Sequence, residues 1–220
     1  MTCVKGLTRV TRTTQTAVPV AAFADYVVAA GPARPELVRQ IQARQIAPYN
    51  PATDFYRGFR KAIVDGRRVG DDRAVLEAAI ANAHEKKKAS FRRLTGRWLD
   101  LLDGPFAGGT WTDVQTARWT PTDLGIKVSP IVGLSYPDGC RATVFIHFAA
   151  PVLRPEVVRA ELRVMEFAAE DTGSDAIPVL VELQRGVVHR PTTTVDAAYD
   201  AQLIAETVGL SFLMNRLSAA

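Results

Sequence analysis

This chain of 220 residues has few of the residues from which metal and redox sites are usually built. Its two cysteines, Cys3 and Cys140, are too few for a disulfide framework and too far apart for a Cys-x-x-Cys motif. Its three histidines, His84, His147 and His189, never stand four residues apart, and none adjoins a cysteine. The sequence therefore favours a protein without metal ligands, cofactor or catalytic residues over an enzyme.

The sequence also lacks a hydrophobic run long enough to cross a membrane, which takes roughly 18 apolar residues. A short apolar stretch at 17–24 is interrupted by Pro19 and ended by Asp25, which is a poor match to a secretory signal. We therefore predict a cytoplasmic protein without membrane association. Residues 1–16 are rich in threonine, carry cations without an acid and show no periodicity, so we expect a mobile tail there.

The composition of the chain is that of an ordinary globular protein, and positive charge is concentrated in one part of it. Hydrophobic residues make up 47% and charged residues 23% of the sequence, as in folded proteins. Residues 54–98 hold twelve Lys or Arg against six Asp or Glu, a net charge of +6 in a chain whose total is +4. The rest of the chain is therefore slightly negative. Such a basic concentration attracts anionic partners.

Apolar spacing predicts helices in the first half of the chain. Short helices are expected over 20–30 and 35–45, and an amphipathic helix over 54–65 is introduced by the cap-like pair Asn50-Pro51. A single long helix is expected from 71 or 72 to about 102, because apolar residues recur at helical spacing on both sides of three consecutive lysines.

In the second half of the chain, the spacing of apolar residues changes from the helical period to the alternation that is typical of strands. Leu124, Ile126 and Val128 alternate with polar residues, and strands at 131–136 and 141–148 flank a Tyr-Pro-Asp-Gly turn, which predicts a hairpin. A helix over 155–169, a strand over 177–184 and a last helix from about 196 follow by the same criteria.

These elements predict an α+β fold: a helical N-terminal half, an antiparallel three-stranded sheet with a hairpin, and then helix, strand and helix. We divide the chain into the tail at 1–16, a helical region at 17–104 and an α+β region at 105–220 that packs with the helical region as one domain.

Two parts of the sequence resemble a family of uncharacterised actinobacterial proteins. One is the pattern at 49–63, followed by Lys87-Lys88 before an aromatic residue, and the other extends over 128–186. The resemblance implies no known activity. This chain has Ile131 after Pro130, where an acidic residue is usual in the family, so any role of that acid does not carry over.

The order of elements also resembles the α-β-β-β-α-β core of PD-(D/E)XK nucleases. Such enzymes need clustered carboxylates to hold Mg²⁺, and the matching positions here, Phe145 and His147, offer none. Glu182 and Gln184 stand closer to the acid-x-lysine motif, with Asp171 or Asp175 as a second ligand. Whether Glu182 and Gln184 belong to a site stays open beside the simpler interpretation of a buried strand.

The basic helices provide the candidate binding residues. Lys and Arg on an exposed helical surface neutralise phosphates, so the first hypothesis is a non-catalytic protein associated with nucleic acid. The alternatives are a module that binds an acidic protein or a small ligand and, third, a metal-dependent nuclease. The candidate residues are Arg57, Arg60, Lys61, Lys86, Lys87, Lys88, Arg92, Arg93 and Arg97.

Overall fold

The computed structural model describes residues 17–47, 54–192 and 196–218. The N-terminal elements are β1 (Ala17–Pro19), α1 (Val20–Val28), a 3-10 turn (Gly31–Ala33), α2 (Arg34–Ile46), α3 (Arg57–Val69), α4 (Asp72–Ala81) and α5 (Glu85–Asp103). They are followed by β2 (Thr110–Thr112), β3 (Ala117–Trp119), β4 (Gly125–Val128), β5 (Val132–Ser135), β6 (Arg141–His147), α6 (Pro155–Asp171), β7 (Ile177–Glu182), β8 (Val187–His189) and α7 (Ala197–Ser218). The predicted α+β class is confirmed. The predicted tail at 1–16 and the cap at 50–51 lie outside the described residues.

A mixed sheet, which we call the large sheet, organises the fold. Within the described residues it has five strands in the order β2-β5-β6-β7-β8. The predicted hairpin of β5 and β6 is confirmed, with Gly139 at a φ of 86° in its turn. Glycine suits that position because a side chain strains a left-handed backbone. Strands β6 and β7 are parallel and joined through α6, so His147 and Glu182 lie side by side at their carboxyl ends.

The structure refines the predicted three-stranded antiparallel sheet. The alternating segment at 124–128 contains β4, which belongs to a separate small sheet with the order β1-β4-β3. Its partner β1 pairs with it in parallel across more than a hundred residues of sequence. Strands β1 and β3 have three residues each, too few for a period of two to be recognised.

The two faces of the large sheet are covered by different helices. One hydrophobic cluster joins α3, α4 and α5 to the sheet face that includes Val144 and Val179. The other joins α1, α2, α6, α7 and the small sheet to the face that includes Phe145 and Leu180. Successive side chains of β6 thus enter opposite clusters, as the alternation of a strand requires. The predicted helical region at 17–104 contributes to both clusters.

The prediction of one helix from 71 to 102 is wrong. Helix α4 ends at Ala81, and α5 begins at Glu85 with His84 as its cap. The His84 ring accepts a hydrogen bond from the Lys86 backbone N–H at 3.3 Å. The three lysines at 86–88 therefore lie in the first turn of a new helix. Cations are unfavourable beside the helix dipole there, and Glu85 in the same turn offsets them.

A close turn joins α3 to α4. A Cβ atom added to Gly66 would lie 2.8 Å from the Cα of Asp72, closer than real Cβ contacts come. Asp72 is buried, and its carboxylate accepts hydrogen bonds from Arg67 Nε at 2.8 Å and Trp98 Nε1 at 3.1 Å. This network ties α3, α4 and α5 together.

No helix in the described ranges has the length and apolar composition to span a bilayer.

Candidate functional site

Three of the predicted cations form a line along α5. Lys86, Arg93 and Arg97 are seven and four residues apart, which places them on one side of the helix, and all three are exposed. The buried side of α5, with Phe91, Leu94 and Trp98, faces the sheet instead. At 1.5 Å per residue the line from Lys86 to Arg97 is about 17 Å long. We call these three residues the α5 stripe.

The α5 stripe passes the turn between β7 and β8. Arg93 Nη2 donates a hydrogen bond of 2.7 Å to Gln184 Oε1. The Gln184 side-chain amide in turn donates to the Tyr56 hydroxyl and to the Phe148 carbonyl, both at 3.1 Å. Gln184, whose role the sequence left open, therefore holds one cation of the stripe in place.

Arg97 completes the approach of α5 to this turn. A Cβ atom added to Gly186 would lie 3.4 Å from Arg97 Cδ, in ordinary van der Waals contact. The stripe and the carboxyl edge of the large sheet are therefore adjacent. Sequence patterns did not predict this adjacency, because the two segments are about ninety residues apart.

The predicted cations of α3 are less available. Arg60 forms an ion pair with Asp54, and its guanidinium lies 5.8 Å from the centre of the Phe148 ring. Lys61 pairs with Asp65 one turn along the helix. Arg57 is exposed at the first position of α3. An exposed pair such as Lys61–Asp65 contributes little stability, but both pairs partly neutralise the positive surface.

The remaining cations of α5 lie away from the stripe. Lys88 pairs with Glu85, and their hydrogen bond lowers the pKa of the Glu85 carboxyl below its ordinary value. Lys87 Nζ lies 5.1 Å from the centre of the Phe55 ring. Arg92 is exposed but is rotated about 100° from Arg93 around the helix. The nine predicted residues thus divide among several surfaces, and the stripe is the part that the structure aligns.

A second set of charged groups lies on the opposite face of the large sheet. The Glu182 side chain, only 4% exposed, accepts hydrogen bonds from the Leu153 N–H at 3.0 Å and from His189 Nε2 at 2.8 Å. Arg185 Nη1 lies 3.3 Å from both carboxylate oxygens. Burial by itself raises the pKa of Glu182, but these bonds outweigh it and hold the pKa below its ordinary value. Glu182 is therefore an ionised anchor for β8 and for the segment before α6.

His147 is paired on the same face. Its Nε2 lies 2.8 Å from Glu161 Oε2, and the Glu161 side chain is 1% exposed. Burial works to lower the pKa of His147, but the hydrogen bond and charge of Glu161, with the charges of Asp25 and Glu182, raise it above its ordinary value. The other oxygen of Glu161 has no hydrogen-bond partner among the described residues. His147 is thus a half-buried residue of the sheet with a carboxylate partner.

The positions that resemble a nuclease motif are not assembled for metal binding. Phe145 is buried in the core, and Asp175 forms an ion pair with Arg141. Asp171 and Asp175 precede β7, whereas Glu182 ends it, so the strand separates them by roughly 20 Å. Within the described ranges, no group of three His, Cys, Asp or Glu side chains is arranged to hold a metal ion.

A cleft that the sequence did not reveal opens beside Glu182. It has a volume of about 790 Å³ and lies between α6, β8 and the start of α7. Its lining comes from several separate segments of the chain, and no local pattern marks them. The feature of the sequence that could have pointed to the cleft was the strand end Glu182-x-Gln184-Arg185. This segment contributes to the cleft and also adjoins the α5 stripe.

Comparison with known proteins adds no relative. No family model, curated protein or solved structure matches this chain.

Proposed function

We propose that the protein associates with nucleic acid, without catalysis, through the α5 stripe. The observation that supports this is the alignment of Lys86, Arg93 and Arg97 along about 17 Å of exposed helix. Phosphates follow one another at about 3.4 Å of rise along a strand of B-DNA. A strand that lies along the stripe would therefore place about five phosphates within its length.

The surface between the cations is open. On the same side of α5 lie Ala89, Ser90 and Gly96, which are small, and a Cβ atom added to Gly96 would meet nothing within 4 Å. A phosphate backbone can therefore approach the helix closely. Beyond the stripe lies Asp100, an exposed acid three residues after Arg97. Its negative charge limits the interface to about the first three turns of α5.

The fixed side chain of Arg93 also favours binding. Its hydrogen bond to Gln184 restricts its rotamers before any ligand arrives, so less side-chain entropy is lost on association. Contacts from Lys and Arg to phosphates position a duplex or a single strand but carry no base information. The proposed association is therefore independent of sequence and strongly dependent on salt.

The test is a neutralised stripe compared with an equal loss of charge elsewhere. The variant Lys86→Gln/Arg93→Gln/Arg97→Gln removes the stripe, and Arg73→Gln/Lys127→Gln/Arg216→Gln removes three exposed cations outside it. Binding of a labelled 20-nucleotide DNA, single-stranded and duplex, is followed by fluorescence anisotropy from 20 to 200 mM NaCl.

We expect the stripe variant to reduce the slope of log K against log salt concentration by about 2 to 3, since each phosphate contact contributes roughly 0.7 to 0.9. The control variant keeps most of the wild-type slope. Absence of wild-type binding at 20 mM NaCl, or equal losses in both variants, contradicts the proposal.

A further inference from the structure

The cleft beside Glu182 is large enough for a small organic molecule. Its volume of about 790 Å³ lies in the range of roughly 300 to 1,000 Å³ that is common for ligand sites. Apolar side chains form much of its wall, including Val152, Val158, Leu162, Val187 and Tyr199. These walls favour the apolar body of a ligand over a fully hydrated ion.

The carboxylates at the cleft already accept hydrogen bonds from the protein. Both oxygens of Glu182 are engaged by Arg185 and by further donors. Both oxygens of Asp200 accept from Arg163, at 2.7 and 2.8 Å. Asp196 accepts from two backbone N–H groups and from Arg159. Glu166, the fourth acid of the lining, accepts a hydrogen bond from Arg163 at 3.1 Å through one oxygen. Each acid of the lining is therefore already paired with an arginine.

The arginines at the cleft have donors to spare. A guanidinium carries five N–H donors, but Arg185 uses only Nη1 toward Glu182 among the described residues, and its side chain is 42% exposed. Arg159 uses only Nη2 there, toward Asp196, while its guanidinium lies 3.8 Å from the centre of the Tyr199 ring. Paired carboxylates beside guanidinium N–H groups without partners favour a ligand that brings acceptors, and the positive charge of the guanidinium favours an anion among such ligands.

The cleft lies at a position in the sheet where ligands commonly bind. Glu182 and His147 end the parallel strands β7 and β6, and ligands of sheets with parallel strands commonly bind outside the carboxyl ends of those strands. Arg185 follows Glu182 in the turn after β7. The ion pair with Glu182 orients the Arg185 guanidinium without using all of its donors.

We propose that this cleft binds a small amphipathic organic anion, with its oxyanion head on Arg185 and its apolar body against Val158, Leu162 and Val187. This site lies on the face of the large sheet opposite α5. Its occupation does not depend on nucleic-acid association, so the two proposals can fail separately.

A matched pair of fluorescent probes tests the proposal. Anilinonaphthalene sulfonate carries an aromatic body and one sulfonate, and phenylnaphthylamine has the same rings without the anion. We expect the sulfonate to bind with a stoichiometry of one and at least tenfold more tightly than the neutral probe. Decanoate should displace it, and decanol at equal concentration should displace it far less.

Two substitutions locate the bound probe. Arg185→Gln should weaken binding of the sulfonate about tenfold, the size expected for one charge-assisted hydrogen bond, and should leave binding of the neutral probe unchanged. Val187→Trp should reduce binding of both probes by filling the cleft. The control Arg141→Gln also breaks an Arg–carboxylate pair, but far from the cleft, and should bind both probes like the wild type.

Thermal unfolding by circular dichroism identifies which variants are folded, and Val187→Trp carries the test if Arg185→Gln does not fold. The proposal is overturned by equal affinity for the two probes. It is also overturned if a folded Arg185→Gln or Val187→Trp variant binds the sulfonate as tightly as the wild type.

Discussion

The two faces of the large sheet differ in where their buried acids lie and how many there are. On the face covered by α3, α4 and α5, the described residues bury one acid, Asp72, which pairs with Arg67, and the cations of the α5 stripe lie on the outer surface. On the other face, Glu161 and Glu182 are buried at the carboxyl ends of the strands, with His147 and His189 as their partners. The second face thus buries two paired acids near a cleft, whereas the first buries one acid and carries the α5 stripe on its outer surface.

This difference matters because buried and exposed charges behave differently. An exposed cation is screened by salt and costs little to hold, so it is available to a large anionic partner. A buried carboxylate must be paired, and it then fixes the groups that pair with it. A single fold therefore combines an exposed cationic surface with a cleft beside buried, paired carboxylates.

The largest effect is expected from breaking the buried network on the α5 face. Asp72→Ala leaves the Trp98 indole N–H and the Arg67 guanidinium without the carboxylate, and the Arg67 side chain is only 14% exposed. Removing one partner of a buried pair costs roughly 3 to 5 kcal/mol. Urea denaturation measures the free energy of unfolding. Asp65→Ala, which breaks the exposed pair with Lys61, should change it by less than about 0.5 kcal/mol.

An intermediate effect is expected from the turn that brings α3 and α4 together. Gly66→Ala places a Cβ atom 2.8 Å from backbone of Asp72, and overpacking of this kind costs about 1 to 3 kcal/mol. Gly96→Ala is the matched control, since its Cβ atom meets nothing within 4 Å in the interior of α5. It should stabilise the protein by about 0.5 to 1 kcal/mol because alanine favours helix. Equal effects of the two substitutions would argue against the observed α3–α4 approach.

The smallest effect concerns pH and the opposite face. Since the pKa of His147 is raised above its ordinary 6.5 in the folded protein, its contribution to stability is fully present below 6.5. It is lost as the pH rises through the folded-state value, by at most about 1.4 kcal/mol per pH unit. Urea unfolding of the wild type between pH 6 and 8.5 should show this decline.

His147→Gln tests the assignment of that decline. The variant keeps a side chain that can donate a hydrogen bond to Glu161 but cannot titrate, so its unfolding free energy should vary less over the same range. A variant that retains the full wild-type decline would assign it to other groups. Glu182 titrates in a different window, because its pKa is lowered and its stabilising contribution is lost only in acid.

Sequence patterns predicted the elements whose signals are local. The hairpin of β5 and β6 was marked by alternation and by the turn at 136–139, and α6 was marked by Pro155 at its start and by an apolar stripe that begins at Val158. The interruption of the expected long helix was missed, because the apolar spacing continues on both sides of His84. The break coincides with capping of α5 by the His84 ring, and a cap of this kind cannot be recognised from the spacing of apolar residues.

By itself, the sequence determined the α+β class, the concentration of cations between 54 and 98 and the absence of a Cys-x-x-Cys motif, since composition and spacing express these directly. The tertiary structure alone decided that Gln184 holds Arg93, that His189 pairs with Glu182, and that a cleft opens beside them. These contacts join segments that are distant in the chain or lie across strands. Their formation depends on strand pairing and burial, which no local pattern contains.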